Sequence, residues 1–254
     1  MASNQLERFS AILGQLESDG TTTVDGLAKL LNVSSATVRR DLQKLQDHRL
    51  LARTHGGAVA QAVAYELPVR YRAGRHSAEK KRIGAAAAAL IADGAVVGIT
   101  GGTTTTEAAR ALAGRSDLTI LTNALNIAAE LAVRPNLRLV VTGGITRSAS
   151  FELVGPITEH VLGQYNLDVA LVGADGVDVA TGCSTHDPIE ARSNALLVER
   201  SQQTIVLADS TKLGRTAFAT ICPLTAVDVL ITDTGAPEST VQKIRDVGIE
   251  VHVV

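Results

Sequence analysis

Apolar residues recur at helical spacing from the start of the chain. Leu6, Phe9, Ile12, Leu13 and Leu16 share one face at about 100° per residue, and Asp19-Gly20 supplies a stop. A second amphipathic helix is predicted over Val24–Leu31, with Leu27, Leu30 and Leu31 on its apolar side. Asn32-Val33 makes a tight turn, and Ser34 is placed to cap a third helix running to Asp47. In that helix Val38, Leu42 and Leu45 form the stripe to be buried. The run RLLARTHGGAVA then alternates briefly and meets Gly56-Gly57, which predicts a hairpin. Residues 61–76 follow neither period and contain Pro68, so they read as a linker between a domain over 1–60 and another over 77–254.

From Ser77 the pattern changes. Seven segments read as strands: AVVGIT (95–100), LTILT (118–122), LRLVVT (137–142), DVALVGA (168–174), TIVLAD (204–209), DVLITD (228–233) and IEVHVV (249–254). The segments KKRIGAAAAALI, TTEAARALA, ALNIAAELAV, PIEARSNALLVERS and STVQKIRDV read as helices between them. Continuous Val/Ile/Leu strands alternating with helices predict an α/β domain whose largely parallel sheet is covered on both faces.

Composition narrows the class. Aromatic residues make up 2% of the chain, so the core is built from Val, Ile, Leu and Ala. The most apolar run, residues 84–100, is broken by Asp93-Gly94, whereas a membrane span needs about 20 uninterrupted apolar residues. The first thirty residues carry Glu7, Arg8, Glu17 and Asp19 and no long apolar block, which argues against a signal peptide. Cys183 and Cys222 lie far apart and suggest reduced thiols in a cytoplasmic protein rather than a disulfide framework. The six histidines show no metal-ligand spacing, and no cofactor or metal is expected. Net charge is −2, yet residues 34–75 hold eight basic side chains, Arg49 among them, against Asp41, Asp47 and Glu66. That asymmetry predicts a small basic reader of nucleic acid joined to an acidic regulatory domain.

The third helix carries the reader. Opposite its apolar stripe lie Ala36, Arg40 and Gln43, flanked by Ser35, Thr37, Arg39 and Lys44. Ala36 permits close approach to a base edge, and an arginine can bond guanine bidentately. Thr37 and Lys44 suit phosphates, which position without specifying, and Arg39 suits either role. Arg53 and His55 sit near the hairpin tip, placed to reach the DNA backbone or minor groove. Helix, helix, turn, capped basic helix and glycine hairpin is the order of a winged helix-turn-helix. The stretch VSSATVRRDLQKLQDHRLLARTHGGAV closely resembles the helix-turn-helix signature of the DeoR family of bacterial transcription regulators. The resemblance implies that Arg39 and Arg40 lie on the recognition helix.

In the second domain, polar and glycine-rich loops follow the predicted strands. GITGGTTTTE places Gly101, Gly102 and four threonines at a helix start, where amides and hydroxyls can hold an anion. It lacks the spacing of a nucleotide-binding loop. Asn123, the pair Gly143-Gly144, the run Asp175-Gly176-Val177-Asp178 and Asp209-Ser210-Thr211-Lys212 end later strands. Ligands of open parallel sheets bind at that edge. His186-Asp187-Pro188 reads as the start of the next helix.

Residues from about 79 onward also resemble the DeoR family's effector domain, itself similar to sugar-phosphate isomerases of the ribose-5-phosphate type. By that likeness Thr103, Thr104 and Thr105 would hold a phosphate, with Asp175, Asp178 and Lys212 facing the sugar hydroxyls or phosphate. The isomerases carry an acid directly after Gly-Ala-Asp, where this chain has Gly176, and a lysine before a glycine turn, which VATGCST lacks. Moving a proton beside a carbonyl needs a base and a donor to the enediolate; Glu190 is a candidate base without that lysine. The expectation is a repressor of sugar-metabolism genes, binding double-stranded operator DNA as a homodimer or homotetramer and controlled by a phosphorylated sugar, with no membrane association. The rival readings are an active isomerase with a vestigial N-terminal domain and a metabolite-binding protein acting on a protein partner.

Overall fold

A computed structural model of the chain describes residues 5–48, 50–60 and 67–254. Arg49, Glu66 and the first part of the predicted linker (61–66) lie outside the described residues. The chain divides into two compact units, residues 1–75 and 76–254.

The first unit contains α1 (Gln5–Asp19), β1 (Thr21–Thr23), α2 (Val24–Leu31), α3 (Ser35–Asp47), β2 (Ala52–Thr54), β3 (Gly57–Val59) and α4 (Val69–Arg72). The three predicted helices all form. Thr23 caps α2 by accepting from the Gly26 amide at 3.1 Å, and Asn32, at φ 50°, ends that helix in the left-handed region. The stripe Val38, Leu42 and Leu45 is fully buried against Ile12 and Leu27 of α1 and α2. The hairpin also forms, with His55-Gly56 at its tip and a third strand, β1, alongside β3. Three threonines are too few to show a period, and β1's partner is remote in sequence, so β1 has no local signature. Gly57 is obligatory: a Cβ there would lie 1.9 Å from the Thr22 carbonyl oxygen.

The structure corrects the linker over 67–75. Tyr71 of α4 is 3% exposed, and its ring centroid stands 6.0 Å from that of Phe9. Ser10 Oγ donates to the Tyr71 carbonyl at 2.7 Å, and the Tyr71 hydroxyl lies 3.2 Å from His48 Nδ1. A four-residue helix has no periodicity to read. What orders it is burial of one large ring whose polar end still finds a partner.

The second unit runs α5 (Ser77–Ala89), β4 (Val96–Ile99), α6 (Thr103–Leu112), β5 (Thr119–Thr122), α7 (Leu125–Leu131), β6 (Arg138–Val141), β7 (Ile145–Arg147), β8 (Glu152–Val154), α8 (Pro156–Leu162), β9 (Leu167–Gly173), β10 (Gly176–Asp178), β11 (Gly182–Thr185), α9 (Pro188–Glu199), β12 (Ser201–Leu207), β13 (Ala219–Cys222), β14 (Val229–Thr232), α10 (Glu238–Asp246) and β15 (Glu250–Val253). All seven predicted strands join one sheet of order β15-β14-β12-β9-β4-β5-β6, and every neighbouring pair is parallel. Strand pleating divides the apolar residues between the faces. Val169 and Leu171 of β9 enter the core under α5, α6 and α7, whereas Ala170 and Val172 enter the one under α9 and α10. Leu162 of α8 packs with Leu167, Leu196 and Leu197 on that second side. Among the described residues no helix is long and apolar enough to cross a membrane.

The chain begins this sheet at β4, winds outward to β6, then returns to β9 on β4's other side. That reversal opens a crevice at the carboxyl ends of β4 and β9. Two antiparallel additions were not foreseen: the β7–β8 hairpin and a small sheet of order β10-β11-β13. Replacing Gly57 by alanine should destabilise the first unit by about 1–3 kcal/mol through overpacking. Urea denaturation followed by hydrogen exchange at α3 amides checks this, with amides of β9 as the unaffected control.

Candidate nucleic-acid interface and effector site

Helix α3 presents the predicted face. Ser34 Oγ accepts from the Thr37 amide at 3.1 Å, satisfying a free donor of the first turn. Ala36, Arg39, Arg40, Gln43 and Lys44 are exposed, while Ser35 and Thr37 are half-buried. Ser35 Oγ donates to Asp25 Oδ1 of α2 at 3.4 Å, bracing the start of the helix. Gln43 is engaged within the unit: its Nε2 donates to Asp47 at 2.9 Å, and its Oε1 accepts from Arg53 Nη1 on β2. Through that bond Arg53, a candidate for the DNA backbone or minor groove, also links the wing to the helix. His55 remains exposed at the tip.

The residue that sequence reasoning missed here is Asp41. It is 1% exposed, and Arg8 of α1 binds both its oxygens, Nε to Oδ2 at 2.6 Å and Nη2 to Oδ1 at 3.2 Å. Gln5 Nε2 adds a bond to Oδ1 at 3.3 Å. The hydrogen bond to Asp41 holds the Arg8 guanidinium above its ordinary pKa. A signal was available: Asp41 follows Val38 by three positions and so falls on the buried stripe.

In the second unit the crevice between β4 and β9 is lined by close backbone. The Gly173 amide donates to Thr100 Oγ1 at 3.0 Å, and a Cβ at Gly101 would meet the Glu152 side chain at 2.4 Å. Gly102, at φ 133°, leads into α6. Thr105 and Thr106 turn their hydroxyls back to the Gly102 carbonyl at 3.1 and 2.6 Å. Of the three threonines expected to hold phosphate, Thr105 therefore has its proton committed, while Thr103 is half-buried and Thr104 buried.

A continuous polar network lies beside that turn. Lys212 Nζ stands 3.5 Å from Asp175 Oδ1, and His186 Nε2 stands 3.9 Å from Oδ2. Thr185 Oγ1 lies 3.2 Å from Asp175 Oδ2 and 2.9 Å from Glu190 Oε1, so its single proton serves one carboxylate at a time. The other Glu190 oxygen accepts from Arg147 Nη1 at 3.1 Å, and Arg147 Nε binds Asp187 at 3.1 Å. Asp187 in turn caps α9, accepting from the amides of Ile189 and Glu190 at 2.9 and 3.1 Å. On the other face of the sheet's edge Lys80 of α5 is 5% exposed, with Nζ 3.9 Å from Asp209. Arg147 and Lys80 were not singled out from sequence. Arg147 sits on the unforeseen hairpin, but Lys80 precedes Ile83 and Gly84 by three and four positions and lies on their buried face.

The other candidate residues make contacts of their own. Asn123 is fully buried and donates to the Leu153 carbonyl at 3.2 Å, fastening β8 to the end of β5. Gly143 and Gly144 take φ 72° and 131°; Thr158 Oγ1 donates to the Gly143 carbonyl, and a Cβ at Gly144 would meet that oxygen at 2.2 Å. Asp178 Oδ1 accepts from the Ala180 and Thr181 amides at 2.9 and 3.3 Å, capping the β10–β11 turn. Gly176 has no room for a side chain, since a Cβ would lie 2.5 Å from the Arg215 carbonyl oxygen. An acid at this position could not be housed. Among the described residues no group of three His, Cys, Asp or Glu could hold a metal.

Burial alone would raise the Asp187 and Asp233 carboxyls. Amides of Glu190 and Ile189 with Arg147 overrule it at Asp187, and amides of Ser210 and Gly235 overrule it at Asp233, so both titrate below the ordinary range. Their stabilisation is complete above the unfolded value of about 4 and lost as pH falls through the lower folded values. Thermal midpoints should therefore drop on acidification below about pH 4, and Asp187→Asn should weaken that dependence. Removing Arg8 strands a buried carboxylate, so Arg8→Ala should cost the first unit about 3–5 kcal/mol in chemical denaturation.

Residues 8–62 match the family model described as a DeoR-like helix-turn-helix domain, and residues 75–234 match that of the DeoR C terminal sensor domain. The glycerol-3-phosphate regulon repressor of Escherichia coli strain K12 is 31% identical over 98% of this chain and 99% of its own. The HTH-type transcriptional regulator GlpR of Haloferax volcanii is 34% identical over 92% of each chain. Among solved structures, ribose 5-phosphate isomerase A of Methanocaldococcus jannaschii is similar over 54% of each chain, at 20% identity and a TM-score of 0.41.

Proposed function

Because the chain belongs to the DeoR family of transcription regulators, we propose that it represses genes of sugar metabolism and is controlled by a phosphorylated sugar bound in its second unit. It is a DNA-binding regulator and not an enzyme. The observation that carries the DNA half of this reading is the division of α3 into a fully buried stripe and an exposed face of Arg39, Arg40, Gln43 and Lys44. On this reading Arg40, Ala36 and Gln43 face bases, Ser35, Thr37 and Lys44 face phosphates, and Arg39 serves either. Arg53 orients Gln43, and His55 reaches the backbone from the wing tip.

The effector half rests on the crevice at the carboxyl edge of the sheet. Its first α6 turn, Gly102 to Thr104, offers amides and hydroxyls to a phosphate, and Lys212 offers a cation. Asp175 accepts from a sugar hydroxyl. Asn123, Gly143, Gly144 and Gly176 shape the surrounding walls. A relative named for glycerol-3-phosphate supports a small phosphorylated ligand. Both Glu190 oxygens are engaged by Thr185 and Arg147, which supports sensing without proton transfer. One winged helix makes few base contacts, so a homodimer or homotetramer pairs two on repeated half-sites. The effector acts by binding one arrangement of that assembly better than the other.

Arg40→Ala should weaken operator binding by about 1–3 kcal/mol in a fluorescence-anisotropy titration; unchanged affinity and salt dependence would overturn the docking. A thermal-shift screen with glycerol 3-phosphate and ribose 5-phosphate tests the effector half. A stabilising compound should lose its effect in Lys212→Met, and turnover of either compound would instead mark an enzyme.

A further inference from the structure

The two cysteines, remote in sequence, meet across a strand pair. Cys183 on β11 is the direct register partner of Cys222 on β13. Opposed residues of an antiparallel pair hold their Cα atoms about 4.5–5.5 Å apart, inside the roughly 4.4–6.8 Å that a disulfide spans. Both thiols are free, and both are buried.

Their surroundings differ in a way that assigns roles. Cys183 has no exposed surface, whereas Cys222 is 5% exposed. Cys222 also lines a cavity of about 380 Å³ between the end of α9 and the starts of β12 and β14, with Glu199, Gln202 and Asp228 among its walls. Cys222 thus borders space open to a small polar oxidant, while Cys183, its partner across the strand pair, does not line that cavity. The neighbouring Cys222 sulfur and burial both push the Cys183 thiol up from its ordinary value. The thiolate is the reactive form and harder to reach at Cys183, so Cys222, the less buried of the two and a wall of the cavity, is the one placed to attack.

We propose that Cys183 and Cys222 form a reversible, peroxide-sensitive dithiol in which Cys222 attacks and Cys183 resolves. The Cys222 thiolate attacks one peroxide oxygen, the O–O bond breaks, and the departing hydroxide takes up the thiol proton as water. Cys222 is left as a sulfenic acid. The Cys183 sulfur then attacks the Cys222 sulfur, the S–O bond breaks, and hydroxide leaves with the Cys183 proton as a second water. The two thiols together lose two electrons and two protons, and the peroxide takes up both. The bond closes beside a bulge between Cys183 and Ser184, two residues before Thr185. Oxidation is thereby registered at the hydroxyl standing between Asp175 and Glu190.

The test uses the full chain, folded and reduced, treated with hydrogen peroxide, alkylated and weighed intact. Wild type should lose both alkylatable thiols, become lighter by two hydrogens without dimerising, and recover with dithiothreitol. Cys183→Ser should stop at a dimedone-reactive sulfenic acid on Cys222, and Cys222→Ser should leave Cys183 unmodified until the protein is unfolded. Hydrogen exchange at the Thr185 and Glu190 amides should change on oxidation of wild type and in neither variant. Survival of both thiols, a bond between chains, dimedone labelling at Cys183, or exchange that ignores oxidation would overturn the proposal. None of these readouts involves DNA or a sugar phosphate, so they stand apart from the regulatory reading.

Discussion

A parallel strand can rejoin its sheet only by crossing back over a face, and that constraint organises the larger unit. Each crossover returns the chain to the same starting edge, so every strand leaves the sheet at the opposite edge. Loops scattered over more than a hundred residues of sequence therefore converge there. The reversal between β4 and β9 sends the chain to opposite sides at that point, the place where open parallel sheets bind their ligands. The positions of Gly102, Asp175 and Lys212 follow from strand order before any of their own interactions are considered.

The same constraint explains what was legible in the sequence. The inner strands of the sheet are mostly buried and so apolar nearly throughout, and with the more exposed edge strands β6 and β15 all seven runs were readable because none needed its neighbours to make sense. The additions that close the site lack this property. β7 and β8 have three residues each, β7 is mostly exposed, and their pairing is set by the turn and by Asn123 holding Leu153. β10 and β11 depend likewise on β13, which follows only after α9 and β12. Arg147 and Thr185 belong to these short pieces, so their meeting with Glu190 was invisible. The turn-capping bonds of Asp178 were hidden for the same reason, since a carboxylate after a strand reads alike whether it caps a turn or faces a ligand.

Charge on a buried stripe is the signal that composition obscures. Asp41 and Lys80 both occupy helix positions that their apolar neighbours mark as inward, and both are met by an opposite charge from another element. Such pairs contribute little net stability against an apolar substitute, because desolvation offsets the attraction. Their effect is to fix geometry. With Arg8 gripping both Asp41 oxygens, α3 cannot rotate about its own axis without stranding a charge, so Arg40 stays outward. The basic face owes its direction to an acid.

Thr185 connects the parts of the second unit through one proton. Its hydroxyl has two carboxylates in range and can satisfy only one, so the network has two arrangements of similar hydrogen-bond content. Which is favoured depends on whatever else satisfies Asp175, here Lys212 and, at longer range, His186. A group that drew Lys212 away would leave Asp175 competing harder with Glu190 for the threonine. Arg147 is also bound to Asp187, the cap of α9, and is carried by a hairpin rather than by the sheet. A small change at the sheet's edge thus reaches a helix cap and a surface hairpin through three side chains. A bistable element of this kind lets differential binding at one place bias geometry at another.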